Sequence, residues 1–139
     1  MPCERYPLKE LLNDQAGISI PEAPEYDPRY NQAVRAGNTV YVGGTMGVDM
    51  KTGQFAGPTI REQARQSLLN CQSILRAAGA ELADAVMVHV LLFRSDDAAI
   101  VNEVFSEFYP DVEPPRFMAR NGVDRSGLLI SISVIAVID

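Results

Sequence analysis

The sequence predicts an α+β domain, a mixed β-sheet with two helices on one face, in the order β-β-α-β-α-β-β. Three observations predict it. Ile60, Ala64, Leu68, Cys71, Leu75 and Ala78 recur at spacings of three or four and trace one face of a long amphipathic helix. Val101, Val104, Phe105 and Phe108 mark a second, shorter helical face. Leu128 to Ile138 is a long run rich in Ile and Val, with apolar residues on both sides of a two-residue period. A chain of 139 residues, 47% of them hydrophobic, suits one domain with its own core, here residues 30–139.

The elements follow in chain order. Residues 1–29 carry Pro2, Pro7, Pro21, Pro24 and Pro28 among scattered acids and read as an irregular lead-in, in which Leu8 to Leu12 has the length of one helical turn. Asn31 to Val34 and Thr39 to Val42 are short strand-like runs around Gly37-Asn38, a dipeptide whose residues tolerate positive φ, so a hairpin is expected. After Gly43-Gly44, the stretch Val48 to Gly57 has the composition of a solvent loop. Thr59-Ile60-Arg61-Glu62 spells a capping box for the long helix, which ends at Gly79. Val86 to Phe93 is an apolar strand broken by Arg94-Ser95-Asp96-Asp97, and the second helix stops at Pro110. Arg116 to Gly122 is extended after Pro114-Pro115, and Leu128 to Ile138 closes the order.

That last strand has a consequence for assembly. Leu128, Ile130, Ile132, Val134, Ala136 and Ile138 line one side, and Leu129, Ser131, Ser133, Ile135 and Val137 the other. Two helices cover only one face of such a sheet, so the second face is expected to meet other subunits, with its serines lining an interfacial pocket.

Bulk composition narrows the function classes. Eighteen acidic against twelve basic side chains give a formal charge of -6, which disfavours a polyanionic partner such as nucleic acid. No N-terminal run is long and apolar enough for a signal peptide or a membrane span, so a cytoplasmic protein is expected, with no membrane partner. Cys3 and Cys71 form neither a disulfide framework nor a metal pattern. His89, the sole histidine, sits inside an apolar strand without a second ligand at metal spacing and is read as a core or interface residue ahead of a base.

A string of motifs in order resembles the Rid/YjgF family (reactive intermediate deaminases) over about Tyr30 to Val137. Tyr30-Asn31-Gln32-Ala33-Val34-Arg35-Ala36-Gly37 is similar to the family's opening, and Val42-Gly43-Gly44-Thr45 stands where its members end a strand in S-G-Q. Gln63 to Asn70 resembles its Q-T-x-Q-x-L-x-N helix, Val101-Asn102-Glu103 its V-N-x helix start, and Pro114-Pro115-Arg116 its P-x-R signature. The resemblance implies a chorismate-mutase-like α+β fold, a homotrimer with three sites between subunits, and hydrolytic deamination of imines or enamines without metal or cofactor. It also assigns Arg116 to the substrate carboxylate and Tyr30, Gly44 and Asn102 to the pocket around it. Gly43 stands in place of the usual serine, Met118 in place of a cysteine, and Ser131 in place of a glutamate found fifteen residues after the arginine. The loop from Asn102 to Arg116 is a few residues shorter than is usual.

The chemistry of the residues bears on these assignments. A planar guanidinium pairs with a carboxylate through two donors, which suits Arg116 to an anchor, against the plain alternative of a surface ion pair. Ser131 orients a water or faces a neighbouring backbone, but a hydroxyl is no strong base at neutral pH. Asn102 either shapes the pocket or decorates its helix. Gly43-Gly44 lacks the strand-to-helix fingerprint of a dinucleotide site and marks either a bulge or a close backbone approach to a small ligand. Arg61, Arg65 and Arg76 read as a solvated helix face, and Cys71 as inert packing. The candidate catalytic residues are thus Arg116 and Ser131, with Tyr30, Gly43, Gly44, Asn102 and Met118 contacting substrate. The expected function is hydrolysis of a small imino or enamino acid to ammonia and a keto acid. A non-catalytic trimer that binds such metabolites as sensor or scaffold is the alternative, and an endoribonuclease the lesser one.

Overall fold

The computed structural model describes residues 15–27, 29–122 and 125–139. Cys3 and the helical turn expected at Leu8 to Leu12 lie outside the described residues. Among the described residues eight strands and two α-helices follow in chain order: β1 (Gln15–Ile18), β2 (Ala33–Ala36), β3 (Thr39–Met46), β4 (Val48–Asp49), β5 (Gln54–Phe55), α1 (Ile60–Ala77), β6 (Ala85–Leu92), α2 (Ala98–Phe108), β7 (Arg116–Arg120) and β8 (Ile130–Val137). Six of them form one mixed sheet in the order β1-β2-β3-β8-β6-β7. All neighbours run antiparallel except β6 and β7, the pair that helix α2 connects as a crossover.

Two expectations are corrected. The segment read as irregular contains β1, which pairs with β2 from Gln15↔Ala36 to Ile18↔Ala33 and extends the sheet beyond the predicted domain start. Four residues without a strong alternation, close to several prolines, gave no strand signal of their own; pairing supplies it. The stretch read as a solvent loop forms a small ribbon of β4 and β5, closed by Gly53 at φ +74°.

Helix α1 starts as its spelling predicts. Thr59 Oγ1 accepts from the Glu62 amide at 3.2 Å while Glu62 Oε1 accepts from the Thr59 amide at 3.4 Å, so both capping-box bonds are present. It ends where Gly79 takes φ +86°, with the amides of Gly79 and Ala80 donating to the carbonyls of Arg76 and Leu75. Ala64, Leu68, Cys71 and Leu75 are fully buried on one side of it. Its other side carries Arg61 and Arg65, paired with Glu103 and Glu107 of α2, and Arg76, paired with Glu81.

The core lies between the helices and one sheet face. Ile130, Ile132, Val134 and Ala136 of β8 are fully buried there, with Val88 and Val90 of β6, Val40 of β3, and Val101, Val104 and Phe105 of α2. The opposite face, predicted to want cover, is open in the single chain. Tyr41, Phe117 and Val137 are 49%, 59% and 40% exposed on it. His89 lies on this open face as well, which removes the core alternative of its reading and leaves the interface one: the strand alternates, and His89 points away from the helices.

Candidate functional site

The site is built around an irregularity in β3. Val42 pairs with Val134 and Thr45 with Ile132, so Gly43 and Gly44 together oppose a single residue, Ser133. Local hydroxyls satisfy the carbonyls that the bulge displaces: Ser133 Oγ donates to the Val42 carbonyl at 2.7 Å, and Thr45 Oγ1 to that of Gly43 at 2.9 Å. Gly44 is needed for space. A Cβ at that position would stand 3.0 Å from Ser131 Oγ, closer than ordinary packing allows. Of the two alternatives weighed in the sequence, the bulge is present, with Gly44 drawn close to Ser131.

Cavities flank the bulge. One of about 210 Å³ is lined by Tyr26, Tyr30, Gln32, Gly43, Gly44 and Ile74, among others. Its wall is pinned by Gln32, whose amide nitrogen donates to the carbonyls of Ile20, Ala23 and Pro24 while its oxygen accepts from the Ile20 amide at 2.8 Å. Tyr26 closes it from the side; its hydroxyl accepts from the Met46 amide at 2.6 Å, and burial pushes the phenol up to about 12. A second depression, of about 360 Å³ on the open face, is lined by Gly44, His89, Leu91, Phe117, Ser131 and Ser133. Gly44 lines both.

Arg116 begins β7 and stands level with Val88, on the helix side of the sheet. Its guanidinium carbon lies 4.4 Å from the centre of the Phe105 ring, and its Nη2 reaches Glu113 Oε1 only at 3.4 Å. The side chain is 19% exposed, and its Nη1 is buried without a hydrogen-bond partner among the described residues. A buried guanidinium donor without an acceptor is costly, and a carboxylate is the kind of group that would satisfy it. Met118, two residues on, packs partly buried against the core, and Asn102 is exposed on α2.

The predicted residues thus fall into separate groups within one chain. Tyr30, Gly43 and Gly44 share a cavity, and Ser131 joins Gly44 in the neighbouring depression. Arg116 and Ser131 are not brought together. Ser131 pairs with Leu91 and faces the open side, whereas Arg116 pairs three residues earlier on β6 and faces the helices. Among the described residues no group of three or more His, Cys, Asp or Glu side chains could hold a metal ion, and no helix is long and apolar enough to cross a membrane.

A family model described as endoribonuclease L-PSP matches residues 20–138. The chain belongs to this family. It is also known as the YjgF/Rid family. The 2-iminobutanoate/2-iminopropanoate deaminase of Rattus norvegicus is 35% identical over 120 residues, which cover 86% of this chain and 88% of the relative. Among solved structures, RidA from the Antarctic bacterium Psychrobacter superposes with a TM-score of 0.82 at 33% identity, covering 88% of this chain and 99% of that one. TdcF of E. coli, crystallised with bound serine, superposes with a TM-score of 0.82 at 28% identity, covering 89% and 99%. The YjgF/Rid fold is therefore shared over nearly the whole chain.

Ser133 was read with Ser131 as lining a pocket on the second face, but sequence reasoning passed over Phe117, which follows Arg116 directly and was within reach of the strand period. Gln63 and Asn70 act as struts. Gln63 Nε2 donates to the carbonyls of Gly57 and Gly127 at 2.9 and 2.7 Å while its oxygen accepts from the Leu129 amide at 3.0 Å, fixing the loop before β8. Asn70 Nδ2 donates to the carbonyls of Met46 and Val48, both at 3.0 Å, just beyond the bulge.

Proposed function

We propose that this protein hydrolyses small imines and enamines that carry a carboxylate, releasing ammonia and a keto acid, at three sites of a homotrimer, each shared between neighbouring copies. The observation that carries the reading is Arg116, a largely buried guanidinium with an unsatisfied donor, in a chain whose relatives are named as deaminases of 2-iminobutanoate and 2-iminopropanoate. Both named substrates are short imino acids with one carboxylate for such a fork to grip. Serine, bound by TdcF, is an amino acid of the same small size.

The separation of Arg116 from Ser131 supports sites between copies, because one chain alone does not offer the anchor and the hydroxyl to the same small molecule. So does the open sheet face, where Tyr41, Phe117 and Val137 are exposed side by side with the depression. An apolar face of this kind is what a partner subunit covers.

In the reaction an enamine is protonated at carbon to the iminium, and an imine at nitrogen. Water adds to the C=N carbon and loses a proton, giving a carbinolamine. Protonation of its nitrogen and loss of the hydroxyl proton then break the C–N bond, leaving a ketone and ammonia. The substrate is electrophilic on its own, so holding its carboxylate and a water in register supplies much of the acceleration. No metal or cofactor enters.

The test uses 2-iminopropanoate made in situ by D-amino-acid oxidase from D-alanine. Ammonia release above the spontaneous rate is expected from the wild type, and Arg116→Ala is expected to lose it together with pyruvate affinity. Removing a desolvated charge-assisted pair costs about 2–5 kcal/mol, roughly thirtyfold to several thousandfold in Kd. Pyruvate binding without turnover would favour the non-catalytic reading, in which the same anchor holds a metabolite. Unchanged binding in Arg116→Ala would exclude both.

A further inference from the structure

Ser131 and Ser133 leave the depression on the open face without a proton acceptor unless another side chain supplies one. Of the six residues that line it, Gly44, Leu91 and Phe117 are chemically inert and the two serines carry hydroxyls that neither gain nor lose protons near neutrality. Ser133 is further committed, since its proton goes to the Val42 carbonyl at 2.7 Å. The sixth is His89, the one histidine in the sequence.

Its placement is specific. His89 pairs with Ser133 on β8 and with Phe117 on β7, so its side chain projects on the same side of the sheet as both. The Phe117 ring meets it edge to face at 5.9 Å between centroids, and both rings line the depression. Leu91, the next residue on this side of β6, pairs with Ser131, whose hydroxyl makes no hydrogen bond to the described residues. The groups around the imidazole from the packed strands are Phe117 of β7, Ser131 and Ser133 of β8 and Gly44 of β3, none of them charged; Tyr41 of β3 is the remaining titratable residue on this side of these strands.

We propose that His89 is the general base and acid of the deamination, taking its substrate water on the Ser131 hydroxyl. The inference rests on the deaminase reading given above. Neutral imidazole removes a proton from the water as oxygen bonds to the iminium carbon and the C=N electron pair moves onto nitrogen. The imidazolium returns that proton to the carbinolamine nitrogen. When the C–N bond breaks, the hydroxyl proton passes back to the imidazole and then to the departing ammonia. Iminium and water thus give ketone and ammonium, with the histidine unchanged. Histidine suits the task because its imidazole offers one nitrogen that accepts a proton and one that donates.

The test compares wild type, His89→Gln and His89→Ala on 2-iminopropanoate generated as above, with pyruvate binding by calorimetry as an independent readout. Glutamine keeps a hydrogen-bonding group of similar reach on an exposed position but takes up no proton. The expected result is a fall in kcat of about a hundredfold or more in both variants, with KM and pyruvate affinity unchanged within about twofold. Turnover by His89→Gln at the wild-type rate overturns the assignment while leaving the deaminase reading intact. Equal losses of kcat and pyruvate affinity overturn it too, in favour of packing. A wild type that does not accelerate imine decay overturns both.

Discussion

The Arg116 guanidinium lies 4.4 Å from the centre of the Phe105 ring, with its Nη1 buried and without an acceptor among the described residues. Arg116→Lys is expected to recover only part of the pyruvate affinity lost in Arg116→Ala, because an ammonium keeps the charge and loses the fork; calorimetry on the pair checks it. Gly44 makes a sharper case. With Ser131 Oγ 3.0 Å from where its Cβ would be, Gly44→Ala is expected to fold with a small loss of Tm and to lose most turnover, since the added methyl displaces the hydroxyl. A Gly44→Ala variant with wild-type kcat would rule that out. Cys71 is the opposite kind of residue: wholly buried, with its thiol pushed by desolvation from 9.0 to about 12. It is expected to resist alkylation in the native protein and react on unfolding, as peptide mapping after iodoacetamide would show. The sign of its linkage follows, because a folded-state value raised above the unfolded one stabilises fully below about 9 and ceases to do so as pH climbs toward 12. For His89 the sequence left core and interface open, because an apolar strand with one histidine looks covered on both faces, and the pairing of β6 between β8 and β7 removes the core alternative.

At the scale of elements the helices were the most readable parts. Helix α1 has its capping box, its apolar period and its terminal Gly79 as the sequence spells them, since each of these signals is local. Strand β1 was not readable, because four residues pair only through their neighbour β2. The bulge in β3 was half readable: two adjacent glycines announce an irregularity, but the register with β8 that opens the depression is a long-range fact. Buried polar groups of α1 were visible only as part of a resemblance, and their role is to anchor loops. Gln63→Ala is expected to cost about 2–4 kcal/mol, because it strands two carbonyls and one amide in a buried setting, and thermal unfolding would measure it. Because the Leu129 amide is one of them, kcat is expected to fall as well, through misplacement of Ser131 two residues on. The ion pairs joining α1 to α2, by contrast, are exposed and salt-screened, so replacing Arg61 is expected to change stability little.

At the scale of the whole molecule the two faces of the sheet differ. Its sheet buries one face beneath two helices and leaves the other with aromatic and aliphatic side chains in water. Light scattering is expected to give three times the chain mass of 15.2 kDa, and Tyr41→Asp, a charge in the middle of that face, is expected to give single chains. A wild type that scatters as one chain would end the shared-site reading. That the second face is also apolar was readable from β8 alone, whereas the expectation of three copies came only with the family resemblance. The sheet order also bears on how the protein is made. The hairpin of β2 and β3 and the crossover of β6, α2 and β7 do not touch one another along the sheet; β8, the last of the eight strands to leave the ribosome, is inserted between them. Until then each half exposes an unpaired strand edge, so completion of the sheet waits for β8 to emerge, and the chain before that point is the stage most open to aggregation and to chaperone capture.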